Sequence, residues 1–142
     1  MREATYLDFP LEEYVARHQH LRDAISDAIS DAGMDGVLLT MRDNVEFLSG
    51  FSVPSWRLGE KRFWLLVPVV GQPTLFVDQV HEVNAVETTP IEDIRIWGTG
   101  GVSNIDLLRR TLDEYGLVES AIGLEFGPVS SIRMTPDELD AL

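Results

Sequence analysis

Cysteine is absent from the 142 residues, so no disulfide framework and no thiolate metal site is available, and the composition fits a reducing compartment such as the cytoplasm. Lysine is nearly absent: Lys61 stands alone beside ten arginines. Histidine is limited to His18, His20 and His81. No stretch approaches the ~18 apolar residues of a membrane helix, so no membrane partner is expected. The opening MREATYLDFPLEEY lacks a basic region followed by an apolar run, so no secretory leader is expected either. Basic charge is scarce as well. Asp and Glu number 24 against 11 Lys and Arg, a net charge of −13, which repels phosphate backbones and speaks against a nucleic-acid partner.

What is present fits one domain over residues 1–142, long enough to bury a core without staples. The acidity has two readings: an ordinary acidic cytoplasmic protein, or adaptation to high internal salt. Dense carboxylates keep a surface hydrated while salt screens their repulsion. Loss of lysine while arginine persists favours the halophilic reading.

Leu11–Ala32 reads as an amphipathic helix, its stripe formed by Leu11, Tyr14, Val15, His18, Leu21, Ile25, Ala28, Ile29 and Ala32. Pro10 suits its first position and Gly33 its left-handed cap. Gly36–Thr40 reads as a buried strand, Arg42, Asp43 and Asn44 as a polar break, and Val45–Ser49 as a short helical segment ending at Gly50. Phe63–Val70 is a second strand, with Pro68 pointing to an edge or a bulge. After the turn Gly71-Gln72-Pro73, Thr74–Val77 returns as an antiparallel hairpin partner. A helix over Gln79–Glu87, a strand at Asp93–Trp97, a loop at 98–101, a helix capped by Ser103 and a fifth strand Ala121–Glu125 follow. Thr135-Pro136-Asp137-Glu138 is a strong helix start. This order predicts an α/β fold with helices on both faces of a mixed five-stranded sheet containing one antiparallel hairpin.

Few constellations carry chemistry. His18 and His20 point about 200° apart on a helix and cannot share a metal. His18 is expected to pack on the apolar stripe and His20 to be solvated. His81-Glu82 opens like a zinc-peptidase motif, but the second histidine should stand where Ala85 does. Gly98-Thr99-Gly100-Gly101 lacks the third glycine of a dinucleotide fingerprint, Ser103 standing there. Asp43, Asp78, Asp93 and Glu125 lie near strand ends, where a two-metal nuclease would need carboxylates, yet each is more simply a boundary or cap residue. Phe51, Trp56, Arg57, Arg62 and Phe63 cluster around a loop shaped by Pro54 and Gly59. Exposed Trp and Arg suit an interface or ligand clamp. The alternative, with Trp56 packed on the hairpin and Arg57 solvated, stands level with it.

Five segments together resemble the creatinase/prolidase N-terminal domain. They are the opening helix with Arg17, Leu21 and Gly33; Met34-Asp35-Gly36-Val37-Leu38-Leu39; Asn44-Val45-Glu46-Phe47-Leu48-Ser49-Gly50-Phe51; Phe63 through Pro68 with Gly71, Pro73 and Leu75; and Ile122-Gly123-Leu124-Glu125. None is specific alone; five in register are. The resemblance implies a three-layer α/β/α sandwich of ribonuclease H-like topology, cut from a longer chain whose C-terminal catalytic domain is absent. It implies the accessory domain of an Xaa-Pro dipeptidase or aminopeptidase, with no catalytic residue and no cofactor here. A dinuclear metal site (Mn, Co or Zn) is expected in that catalytic domain. Expected partners are that domain, a second copy in a homodimer, and a small peptide substrate in the partner cleft. Phe51, Trp56, Arg57 and Arg62 are then the gating or interface candidates, and Asn44 and Gly50 the structural motif. Two alternatives remain: a stand-alone small-ligand or regulatory module, and the N-terminal domain of a creatinase-like C–N hydrolase.

Overall fold

The computed structural model describes residues 1–32, 34–53, 62–126 and 132–142. Helix α1 spans Leu11–Ala32, the bounds its apolar stripe predicts. Tyr14, His18 and Ile25 are buried, whereas Val15, at the margin of the stripe, is half exposed. Pro10 lies just before the helix, its carbonyl accepting from the Glu13 N–H at 3.0 Å. Gly33, the expected cap, lies outside the described residues.

Strand β1 (Met34–Leu39) leads almost directly into α2 (Arg42–Ser49). Arg42, Asp43 and Asn44 are therefore not a break but the first helical turn. Strands β2 (Trp64–Pro68) and β3 (Thr74–Asp78) form the expected hairpin, with Leu65 opposite Leu75. A 3₁₀ turn at Gln79–His81 enters α3 (Glu82–Thr88). Strand β4 (Asp93–Trp97) and a second 3₁₀ turn (Thr99–Gly101) precede α4 (Asn104–Glu114), whose cap Ser103 accepts from the Asp106 N–H. Strand β5 (Ala121–Leu124) and α5 (Pro136–Asp140) complete the order. No helix among the described residues is long and apolar enough to cross a membrane.

The five strands form one sheet in the order β4-β3-β2-β1-β5. Strand β2 runs against both neighbours, so β1–β2 is antiparallel as well as the hairpin, while β1–β5 and β3–β4 are parallel. The meander β1-β2-β3 with β5 parallel to β1 is the ribonuclease H-like part, and β4 is added beyond β3. Pro68, expected at an edge or bulge, instead ends the central strand, opposite Gly36. The Val69 N–H donates to Asp35 O at 2.8 Å. Ladder bonds between β1 and β2 thus fall on alternate pairs and skip Gly36–Pro68, where a missing N–H forfeits nothing.

Because side chains alternate across a strand, the sheet builds two cores. Leu39, Leu65, Val67, Leu75 and Val77 pack with Val45, Leu48, Phe51, Phe63, Ala85 and Ile91 under α2 and α3, joined by Leu21 of α1. Leu38, Trp64, Leu66 and Phe76 pack with Leu108 and Leu112 of α4 on the other face. The result is the three-layer α/β/α sandwich.

Candidate functional site at the carboxyl end of the sheet

Four strands point one way and β2 the other, so the carboxyl ends of β1, β3, β4 and β5 meet the amino end of β2. Sites in α/β folds collect at this end. Here it gathers Thr40, Met41, Asp78, Trp97, Glu125 and Arg62.

The centre of this end is Glu125. One carboxylate oxygen accepts from the Thr40 N–H at 2.5 Å, the Met41 N–H at 2.6 Å and the Thr40 hydroxyl at 3.3 Å. The other accepts from the side-chain amide of Asn44. The opening N–H groups of a helix have no partner within it. Met41, the residue before α2, offers no side-chain cap. A carboxylate just past the end of the parallel neighbour strand takes the role, favoured also by the positive end of the helix dipole. This clasp explains why α2 begins at Arg42. The far end of α2 is equally determined: Gly50 has φ 69°, and its N–H returns to Glu46 O at 2.8 Å. A Cβ there would stand 2.7 Å from the Tyr14 hydroxyl oxygen, so only glycine fits both the backbone and the space.

Phe51, a gating candidate in the sequence, is fully buried and meets Phe63 edge to face, centroids 5.0 Å apart. It fills the core and presents no surface to a partner. Its apolar type and its place beside a loop could not distinguish the two roles; only the turn at Gly50 directs it inward. Arg62 uses Nη1 to reach both oxygens of Glu138, each at 2.9 Å. Glu138 also accepts from the Thr135 N–H and hydroxyl at 2.7 and 3.1 Å. Burial would raise the Glu138 carboxyl, but the Thr135 backbone, the Asn104 and Thr135 side chains and the Arg62 charge hold it below the usual range. Arg62 thus ties α5 to the start of β2. Trp56 and Arg57 lie outside the described residues.

Asp78, Asp93 and His18 also have partners within the domain. Asp78 accepts from the His81 N–H at 3.1 Å and lies 2.5 Å from its Nδ1. Asp93 is opposed by burial, yet Arg95 at 2.6 Å, Tyr115 at 2.7 Å and Thr74 at 2.9 Å keep its carboxyl below the ordinary value. The four carboxylates near strand ends therefore do not form one cluster. His20 is exposed. His18 is buried, with Nε2 2.7 Å from Leu48 O, and burial pushes its pKa down to about 4. Among the described residues no three His, Cys, Asp or Glu side chains converge as a metal site. Chemically, this end holds chain segments in place.

Several solved structures share the fold. A dipeptidase from Pyrococcus horikoshii OT3 is 21% identical with a TM-score of 0.59, covering 84% of this chain and 30% of its own. Dipeptidase PepE from Mycobacterium ulcerans is 20% identical with a TM-score of 0.65, covering 94% of this chain and 33% of its own. The creatinase/prolidase N-terminal domain of an X-Pro dipeptidase from Streptococcus pyogenes is 12% identical with a TM-score of 0.57, covering 89% of each chain. The chain thus spans about a third of the first two proteins and most of the third. No curated protein matches by sequence. The family model described as the creatinase/prolidase N-terminal domain matches residues 17–139, and the chain belongs to that family.

Proposed function

We propose that this chain is the non-catalytic N-terminal domain of an Xaa-Pro dipeptidase- or aminopeptidase-like metallopeptidase. The family match over residues 17–139 carries this reading. Xaa-Pro dipeptidases and aminopeptidases among the structural neighbours support it. The engagement of Glu125, Asp78 and Glu138 inside the domain agrees with a supporting role. Hydrolysis would belong to a C-terminal domain with a dinuclear Mn, Co or Zn site. This domain would contribute to a homodimer and gate the partner's active site. Trp56 would offer a flat apolar wall to a proline ring, and Arg57 a two-donor fork to a substrate carboxylate.

The test has two arms. The 142-residue chain with Mn²⁺ or Co²⁺ should cleave no Xaa-Pro dipeptide; cleavage that His81→Ala abolishes would overturn the reading. In the longer polypeptide, Trp56→Ala with Arg57→Ala should weaken substrate use, while the short chain's stability shifts by under ~0.5 kcal/mol. Unchanged kinetics would remove the gating role.

The net charge of −13 and the single lysine support a cytoplasm rich in salt. Self-repulsion reaches ~30 Å at 0.01 M salt and only ~3 Å at 1 M. The melting temperature should climb steeply with KCl, and a flat profile would dismiss the halophilic reading.

A further inference from the structure

Among the described residues, Arg2, Arg17, Arg22, Arg42, Arg62 and Arg95 each donate to an oxygen of the chain. Arg109 and Asp113 of α4 instead form no ion pair and no side-chain hydrogen bond among these residues. Side chains four apart on a helix are neighbours, about 5–6 Å between Cβ atoms, but a base N-terminal to an acid is the weaker order for a pair. Both residues line a cavity of about 270 Å³ together with Leu112, Val118 and Leu142. Leu112 is buried, whereas Val118 is 59% and Leu142 44% exposed, so the apolar part of the cavity opens to solvent. Small-ligand sites combine such a concave apolar lining with a few placed polar groups.

We propose that this cavity binds a free amino acid with an aliphatic side chain, its carboxylate on Arg109, its ammonium on Asp113 and its side chain against Leu112, Val118 and Leu142. A guanidinium takes a carboxylate through two parallel N–H donors. Asp113 lies in the last turn of α4, which holds no basic side chain. The negative end of the helix dipole favours a cation there, and this sets the direction of the ligand. Net charge selects the same class of molecule. A chain at −13 repels an anion, whereas a zwitterion is neutral overall and meets both side chains at once. This inference does not rest on the peptidase reading, and either can fail alone.

Titration of the 142-residue chain with L-leucine, followed by amide NMR shifts, tests it. Saturable shifts should centre on Arg109, Asp113 and Val118 and be complete by about 50 mM leucine. Isocaproate, which lacks the ammonium, and isoamylamine, which lacks the carboxylate, should each bind at least about tenfold more weakly. Arg109→Gln and Asp113→Asn should each weaken leucine binding by the same factor. Arg110→Gln, at the neighbouring arginine that does not line the cavity, should not. All three side chains are exposed, so each variant should keep the wild-type amide spectrum elsewhere. Absence of a saturable shift by about 50 mM leucine overturns the proposal. Binding that the Arg109 and Asp113 variants leave intact overturns it as well, as does isocaproate binding as tightly as leucine. Loss of leucine binding in the longer polypeptide would also overturn it, because another segment would then fill the cavity.

Discussion

Helices α2 and α5 both begin under a glutamate, but the glutamates come from different places. Glu138 lies in α5 itself and forms a capping box with Thr135. Glu125 lies just past the end of β5, 81 residues along the chain from the Asn44 it binds. The carbonyls at the end of α2 also depend on other elements. Arg17 donates to Phe47 O at 2.7 Å, His18 meets Leu48 O, and Thr89 donates to Ser49 O at 2.5 Å. An eight-residue helix is too short to be stable alone, so α2 exists because α1, Glu125 and the α3–β4 connection hold it. Helix α5 starts itself and is then tied down by Arg62.

If that difference is real, acid should strike α2 first. His18 in the folded chain protonates only near pH 4, against about 6.5 when unfolded. Between those values the unfolded state binds the extra proton, so stability falls as pH drops from 6.5 to 4. The loss should reach about 3 kcal/mol, read from urea unfolding at each pH. His18→Gln should flatten that window. Below pH 4 a further loss should follow as the depressed carboxyls of Asp93 and Glu138 protonate. A profile flat from 6.5 to 4 in the wild type would refute the account of His18.

Glu125→Ala should cost about 2–3 kcal/mol, since it strands two backbone N–H groups and an amide together. Proteolysis or hydrogen exchange should show α2 and the β1–α2 junction opening first. Glu138→Ala should cost about 1 kcal/mol, the usual worth of a helix cap, with the opening confined to α5. Equal losses would erase the contrast between the two helices. The smallest effect sharpens it: Thr135→Ala should cost under about 1 kcal/mol, because Arg62 still holds Glu138.

The elements read well from sequence are those whose signals are local. Leu11–Ala32 and Asp93–Trp97 have the bounds that their apolar periods predict. The start of α5 follows from Thr-Pro-x-Glu, and Gly50 marks a helix end by its type alone. The start of α2 was not legible, because its cap lies just past a strand far along the chain and Asn44 in isolation looks like a loop residue. Pro68 misled for a similar reason: an edge was one way to spare a missing N–H, and ladder parity supplied another. Phe51 and Arg62 are of the types found at interfaces, yet one fills the core and the other anchors a helix. Composition and spacing alone could not separate these roles.

The sequence by itself determined the α/β order, the two-faced burial of the central strands, the acidity and the family signature. All of these rest on periodicity, residue type or charge, which act over a few residues or over the whole chain. Only the tertiary structure decided that β2 runs against both neighbours, that Glu125 clasps α2 through Asn44, and that β5 lies parallel to β1. Those outcomes depend on hydrogen bonds between residues distant in sequence, and such bonds form only once the sheet has brought their partners together.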